Sequence, residues 1–596
     1  MPSLLSTMIF RRHCDETALS VAAAYRFDSM QQWMVWCTLA AVLLLSAGCT
    51  TPLRQWWRQG AKVGPDYCRP VAPVANHWID VDDPRLVMQS DCNVHWWDVF
   101  GDPTLDQLIA SAYQQNLSLR VAGMRVIEAR AQRGAAAGNL FPQSQAFKGE
   151  YSRTQFSRTS FGSIGGIFPG FPRAVDGWST GFDMSWEFDI WGRFRRTIEA
   201  SDAELNAQIE SYDDILVTLI ADVARSYVDL RTFETRLDLA RRNVTIQQGS
   251  LELAEVRFKE GDVSGLDVEQ ARTNLAQTEA LIPILERGRR ATLNNLCILL
   301  GTPPQDLDDW LTGQASVPAA PAEVIVGIPA ELLRRRPDIR RAERQLAAQS
   351  ARIGIAEADL YPQFSLTGAI GVSSRRFTDL FQELSTDGVI APGFRWNILH
   401  YGRIRNNIKV QEARFQQLAA TYQDTVLRAN LEAENAIVDF LQSQLEVKHR
   451  QDAVKAAQES AAIVRTQYRA GSVDFGRVFI LEQTLVLAQD DLAVAQSTVA
   501  TSLIRVYKSL GGGWQIRYEQ SYVGGAPDPF TPTMYAPIAE LPAPSSDSDD
   551  NEKSQQKESD EQESDGQDSD DQDSGKKTGD KKSNDDSSNP KADSDE

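Results

Sequence analysis

Through the stretch STGFDMSWEFDIWGR, ending at Arg193, apolar and polar residues alternate strictly. Phe182, Met184, Trp186, Phe188 and Ile190 take one set of positions, and Asp183, Ser185, Glu187 and Asp189 the other. A period of two predicts a strand with one apolar and one wet face. Directly behind it the period changes. From Gly192 to Gly249 there is neither Gly nor Pro between, and Leu216, Leu219, Val223, Tyr227 and Leu230 recur at helical spacing with alanines on the flanks. This predicts a helix from about Arg193 to Lys259, on the order of 100 Å long at 1.5 Å per residue. So long a stripe exceeds the core of one globular domain, and the helix must pack along others.

The same grammar is written twice. Gly192 recurs as Gly402, Gly261 as Gly471 and Gly301 as Gly511, a constant offset of 210 residues. Each copy opens with an Ala-, Arg- and Gln-rich helical segment closed by Asn139-Leu-Phe-Pro142 or Asp359-Leu-Tyr-Pro362. Two alternating strands follow. In the second copy they centre on Phe364, Leu366, Gly368, Ile370 and Val372, and then on Phe394, Trp396 and Ile398. A Gly-Arg turn (Gly192-Arg193, Gly402-Arg403) then opens the long helix, which in the second copy runs from about Arg403 to Arg469. After a short Gly turn a return helix ends at Leu300 or Leu510. The first copy is ten residues longer between its proline and its Gly-Arg turn, and SFGSIGGIFPGFP supplies the surplus as a loop.

Four two-faced strands per chain suit a membrane barrel with lipid outside and water inside. Four cannot close, and open sheet edges cannot stand in lipid. Two chains would give a barrel filled by its own side chains, whereas three give twelve strands and leave a lumen. The fold expected is therefore an α+β membrane protein. Two repeats contribute four transmembrane strands per chain to a trimeric 12-stranded barrel, and long antiparallel helices form a coiled cylinder beneath it.

The ends of the chain add to this picture. Met34–Leu45 is apolar and leads into Ser-Ala-Gly-Cys49, the pattern of a secretion signal with a lipid-accepting cysteine. Residues 1–48 are read as the removed segment and 49–103 as an acylated extended segment. Repeat one covers 104–301, a linker 302–328, repeat two 329–514 and a C-terminal extension 515–540. Residues 541–596, nearly all Ser, Asp, Glu, Gln and Lys, carry more than half of the net charge of −20 and are expected to be disordered. Cys68, Cys92 and Cys297 follow the cleavage point without metal spacing, and a Cys68–Cys92 disulfide stays open.

The stretch PAELLRRRPDIRRAERQLAAQSARIGIAEADLYPQFSLTG from Pro329 resembles the signature of the TolC-like outer-membrane factors, in their NodT/OprM-type lipoprotein branch. Lys62-Val-Gly-Pro-Asp-Tyr67, Trp96-Trp97 with Phe100-Gly-Asp-Pro103, and Leu510-Gly-Gly-Gly-Trp514 resemble its other landmarks, in order, from about Val63 to Trp514. The resemblance implies a homotrimeric duct in the outer membrane, lipid-anchored, with helices in the periplasm. It implies two partners, a periplasmic adaptor and an inner-membrane pump, read as proton-driven. It also implies that the turns RFKEGDVSGLD and QYRAGSVDFGR form the periplasmic iris and meet the adaptor. The residues singled out there are Arg257, Gly261, Ser264, Asp267, Tyr468, Gly471, Asp474 and Arg477. Asp267 matches an aspartate the family places near the constriction, whereas Arg477 stands where the family has a second acid. An Asp267–Arg477 pairing between neighbouring hairpins is the expected latch. Arg193 and Arg403 are expected at the lipid–water boundary.

No catalytic constellation is visible. The histidines at 13, 77, 95, 400 and 449 show no metal pairing, and the glycine-rich loop lacks a phosphate-binding lysine. No enzyme activity, cofactor, metal or nucleic-acid partner is expected. Small-molecule efflux is the first reading. Protein export and metal efflux use the same fold, and a lipid-anchored periplasmic coiled-coil scaffold is the alternative of another class.

Overall fold

The computed structural model describes residues 53–89, 94–156, 174–307, 310–311 and 316–519. Cys49 and the signal segment, Cys92, the SFGSIGGIFPGFP loop and the acidic tail lie outside the described residues. In chain order the elements are α1 (Leu53–Arg58), β1 (Leu86–Val87), α2 (Pro103–Gln115), α3 (Leu117–Gly138), β2 (Ser144–Gln155), β3 (Ala174–Phe188), α4 (Arg193–Glu260) and α5 (Gly265–Leu299). They continue as β4 (Val324–Ile325), α6 (Leu332–Arg335), α7 (Pro337–Ala358), β5 (Gln363–Ser374), β6 (Thr386–Arg395), α8 (Arg403–Arg469) and α9 (Phe475–Ser509).

The two long helices, 68 and 67 residues, start where the sequence predicts. Each follows a glycine with left-handed φ, +82° at Gly192 and +80° at Gly402, which lets the chain reverse from strand into helix. Gly192 is also pressed against the N-terminal segment, since a Cβ there would lie 2.8 Å from Lys62 Cα. The shorter helices start on local caps. The Asp102 carboxylate accepts from Thr104 N at 2.9 Å with Pro103 at the first position of α2, and Asn116 Oδ1 accepts from Leu119 N at the start of α3. Pro337 opens α7, where its missing N–H is not needed.

The four long strands form one antiparallel sheet in the order β2-β3-β5-β6. Phe147 stands opposite Phe182 and Phe182 opposite Ile370, so Phe147, Tyr151, Trp178, Phe182, Trp186, Leu366, Ile370, Ile390 and Phe394 share one face. Lys148, Glu150, Asp183, Glu187, Ser365 and Asp387 share the other. On the apolar face aromatic pairs gather near both ends of the sheet. Trp186–Phe188 and Phe364–Phe394 lie beside the helices, and Tyr151–Trp178–Phe377 lies at the far end.

Three expectations about element ends are corrected. The alternation reaches Ile190, yet β3 stops at Phe188. The Asp189 carboxylate accepts from the backbone N–H groups of Phe194 and Arg195, each at 3.0 Å, and so caps α4 instead of continuing the ladder. The last strand of the second copy is Thr386–Arg395 and excludes Trp396 and Ile398. The Trp396 indole donates to Leu360 O at 2.9 Å, as its repeat partner Trp186 donates to Leu140 O at 3.1 Å, so each indole pins the corner between helix and sheet. Pro142 and Pro362 do not end helices. Those end at Gly138 and Ala358, and the prolines occupy the turn leading into the strand.

The principal core lies where helices and chain ends converge. Trp96, Trp97, Leu105, Leu108, Tyr227, Tyr422, Phe440 and Ile516 are all buried there, and β1 pairs in parallel with β4 to tie residues 86–87 to 324–325. The predicted stripe Leu216, Leu219, Val223, Tyr227 and Leu230 is buried throughout. Cys297 is buried and Cys68 exposed.

Nearer the sheet, the segment Gly60–Tyr67 is clasped to the top of α4. Buried Arg196 donates to Val63 O, Gly64 O and the carboxylates of Asp66 and Glu199, while Arg195 donates to Gly60 O and Ala61 O. A Cβ on Gly64 would overlap Gly354 Cα, and one on Gly354 would lie 2.8 Å from Val63 O. Gly354→Leu is therefore expected to destabilise the protein by about 1–3 kcal/mol and to release this segment. Limited proteolysis should then cut between residues 60 and 67, and an unchanged digest would show that the crossing tolerates bulk.

Candidate functional site: the helical tip

Both long helices end in the same backbone device. Gly261 (φ +84°) donates to Phe258 O at 3.0 Å and Asp262 N to Arg257 O at 2.9 Å. Gly471 (φ +76°) donates to Tyr468 O and Ser472 N to Gln467 O, each at 3.0 Å. These paired bonds close each helix with a left-handed residue that glycine adopts without strain. Ser264 caps α5 in an extended conformation without a side-chain bond, and Asp267 N donates to Ser264 O at 3.1 Å. Asp474 caps α9 through its side chain, Oδ1 accepting from Arg477 N at 3.1 Å.

The side chains at the two turns differ. Tyr468, the repeat counterpart of half-exposed Phe258, is only 1% exposed. Its ring lies under the Arg257 guanidinium, 4.9 Å from the centroid, and edge-on to Phe475 at 5.3 Å. Arg257 Nη1 donates to Tyr468 O at 2.6 Å, and the Tyr468 hydroxyl donates to Asp267 Oδ2 at 3.3 Å. One tyrosine thus joins the end of α4, the end of α8 and the start of α5. Ala254, Val268, Ala271, Val464 and Val478 pack round it as a small core separate from the main one. Burial, then the Asp267 carboxylate, push the Tyr468 phenol up to about 12, so it stays protonated and remains a donor near neutral pH.

Arg257, Asp267, Tyr468 and Gly471 therefore come together, and a Cβ on Gly471 would lie 3.3 Å from Arg257 Nη2. Arg477 does not join them. Within the chain, among the described residues, no ion pair links it to Asp267, whose carboxylate accepts from Tyr468 instead. At the opposite end of the long helices, Gly192 and Gly402 form the strand-to-helix turns. Arg193 reaches Glu187 at 3.5 Å, and Arg403 N donates to His400 O at 2.9 Å beside Tyr401, itself at φ +47°. Among the described residues no group of three or more His, Cys, Asp or Glu is placed to hold a metal ion.

Sequence reasoning passed over a buried polar layer next to this tip. Glu482, 2% exposed, accepts from Ser250 Oγ at 2.7 Å and Asn274 Nδ2 at 2.9 Å. The signal for it was a lone carboxylate at the core spacing Val478, Glu482, Leu485 within an apolar run.

The family model described as "Outer membrane efflux protein" matches residues 108–302 and 328–512, the two repeats in turn. Nodulation protein T of Rhizobium leguminosarum bv. trifolii is 28% identical over 479 residues, 78% of this chain and 97% of that protein. The pyoverdine export outer membrane protein OpmQ of Pseudomonas aeruginosa is 31% identical over 425 residues, 70% of this chain and 87% of that protein. Among solved structures, the outer-membrane channel OprN superposes with a TM-score of 0.68 at 32% identity, covering 76% of this chain and 99% of that one.

Proposed function

The chain belongs to the outer membrane efflux protein family, and from that membership we infer that it is the outer-membrane channel of a tripartite efflux system. It is a passive duct for small molecules, fed by a proton-driven inner-membrane pump through a periplasmic adaptor. The observation that carries this reading is the four-stranded sheet, with one apolar face, one polar face and edges at β2 and β6 that no strand among the described residues covers. Unpaired edge groups are untenable in lipid, so the sheet must continue into other copies. Three copies give twelve strands with the polar face lining a water-filled lumen. No described helix is long and apolar enough to cross a membrane. The aromatic pairs at its two ends suit the two lipid–water interfaces, and Arg193 and Arg403 fall just beyond the inner one.

The long helices continue the lumen into the periplasm, and their tip is its gate. The Arg257–Tyr468–Asp267 contacts hold the two hairpins of each chain together, and Gly261, Gly471, Ser264 and Asp474 shape the turns that meet the adaptor. Arg477 faces that surface as a further charge. The chain divides as the repeats do, at 104–301 and 329–514, with 302–328 as linker and 515–540 as an extension before the acidic tail.

Cys49 lies four residues before α1, whose Trp56 packs on Trp191 at 5.6 Å, at the strand-to-helix corner. An acyl chain there would enter the inner edge of the membrane, each buried CH₂ adding about 0.8 kcal/mol. Cys49→Ser is expected to abolish palmitate incorporation and leave the channel assembled, because the strands hold the membrane independently. Persistent labelling of the variant would refute the lipid site. The duct itself is tested in planar bilayers, where the purified protein should give discrete conductance steps. Absence of conductance at any voltage would overturn the reading.

A further inference from the structure

Just inside the tip, α4 and α9 meet along a buried seam that joins the two repeats. Asn243, Gln247 and Ser250 follow one another on one stripe of α4. Asn243 Nδ2 donates to Gln489 Oε1 at 2.8 Å and Ser250 to Glu482, so Gln247 stands between two contacts to α9. α5 closes the seam with Asn274 and Thr278.

The carboxylate of Glu482 receives two neutral donors and no cation at ion-pair distance among the described residues. Of the charged groups on the elements around it, Arg465 of α8 is the one whose field reaches it, while α4 offers Gln247 and Ser250 and α5 offers Asn274 and Thr278. An ionised carboxylate has about four lone-pair sites to satisfy, and here two are met. Meanwhile Asn274 Oδ1 and both amide atoms of Gln247 are buried without a partner among the described residues. The seam thus holds a carboxylate away from water with part of its acceptor capacity unmet, among acceptors and an amide nitrogen that are themselves unmatched. A proton on Glu482 would remove the buried charge and supply an O–H donor.

We propose that Glu482 is a proton-binding site in the seam between the two hairpins, and that its occupancy holds the periplasmic end of the channel shut. The role as a gate rests on the duct reading above; the proton site rests on the seam alone. Burial raises the Glu482 carboxyl above its ordinary range, against the opposing pull of Ser250, Arg465 and Asn274. The sign follows from linkage. A group that binds its proton more tightly in the closed seam than in water stabilises closure fully below its free value. That contribution is lost as pH rises through the closed-state value. Acid therefore tightens the tip. The counterpart of Glu482 in the first repeat is Arg272, which is exposed and paired with Glu255 and Glu269, so each chain has one such site.

The test uses the full-length protein and two readouts between about pH 4.5 and about pH 7.5, a window from the free carboxyl value to neutrality. Hydrogen exchange, corrected for the intrinsic rate, should slow in residues 243–254 and 478–489 on acidification, and open probability in bilayers should fall by about tenfold for each pH step by which the closed-state value exceeds the free one. In Glu482→Gln both readouts should be independent of pH. A Glu482→Gln protein that keeps the wild-type response, or a wild type with a flat response, overturns the proton site. Should no variant conduct, the duct reading fails, and the exchange profile still decides the proton site.

Discussion

Tyr468→Ala is expected to spring the tip and raise single-channel conductance several-fold. The substitution removes a buried aromatic that fastens three helices at once, and large-to-small changes at such sites cost about 3–5 kcal/mol. It also frees Arg257 from the ring and leaves Asp267 without its phenol donor. Because the tip core is separate from the main one, that loss should fall on the closed tip and leave the fold intact. Tyr468→Phe keeps the ring and removes only the bond to a charged acceptor, worth about 1.5–3 kcal/mol, so its conductance should fall between wild type and Tyr468→Ala. Equal conductance in all three proteins would show that closure does not depend on this residue.

Much of the architecture was legible because period and punctuation agreed. The 210-residue offset pairs Gly192 with Gly402 and Gly261 with Gly471, and all four have the left-handed φ that glycine supplies most readily. Tyr468 and Asp267 were legible as tip residues, but their bond was not, because it joins positions 201 residues apart. The Asp267–Arg477 latch failed within the chain for a related reason. Repeat equivalence sets two residues at similar height and says nothing of which way a helix turns them, and Arg477 contributes its backbone N–H to Asp474. Asp189 and Trp396 misled because their side chains continue the strand alternation while their polar atoms serve helix starts and corners. The two-residue pairing of β1 with β4 is too short to carry a pattern of its own.

A second large effect is expected near the C-terminal end of the described chain. Residues Trp514–Tyr518 form a short 3-10 turn whose Arg517 donates to Asp213 at 3.1 Å, both side chains almost wholly buried. Arg517 also lies over the rings of Trp514 and Tyr518. Burial holds the Asp213 carboxyl up at about 7 despite the opposing pull of Arg517, and Glu210 adds to the rise. Removing one partner of a buried pair strands the other charge, at a cost of about 3–5 kcal/mol. Arg517→Met should therefore lower the unfolding temperature markedly and loosen residues 514–519. The pH dependence has a definite sign. A carboxyl raised in the folded state contributes most at acid pH and loses that contribution as pH rises through about 7. Without Arg517 to offset the charge, the loss should deepen between about pH 6 and about pH 8, the interval that brackets this value. A thermal shift that is small, or that shrinks as pH rises, would contradict this account of the pair.

The sheet edges at β2 and β6, which no described strand covers, call for completion by other copies of the same chain. Native mass measurement of the protein extracted from outer membranes tests it most directly. A single species at three times the mature chain mass is expected, stable until detergent and heat are combined. A monomer, or a dimer whose eight strands leave no lumen, would contradict it.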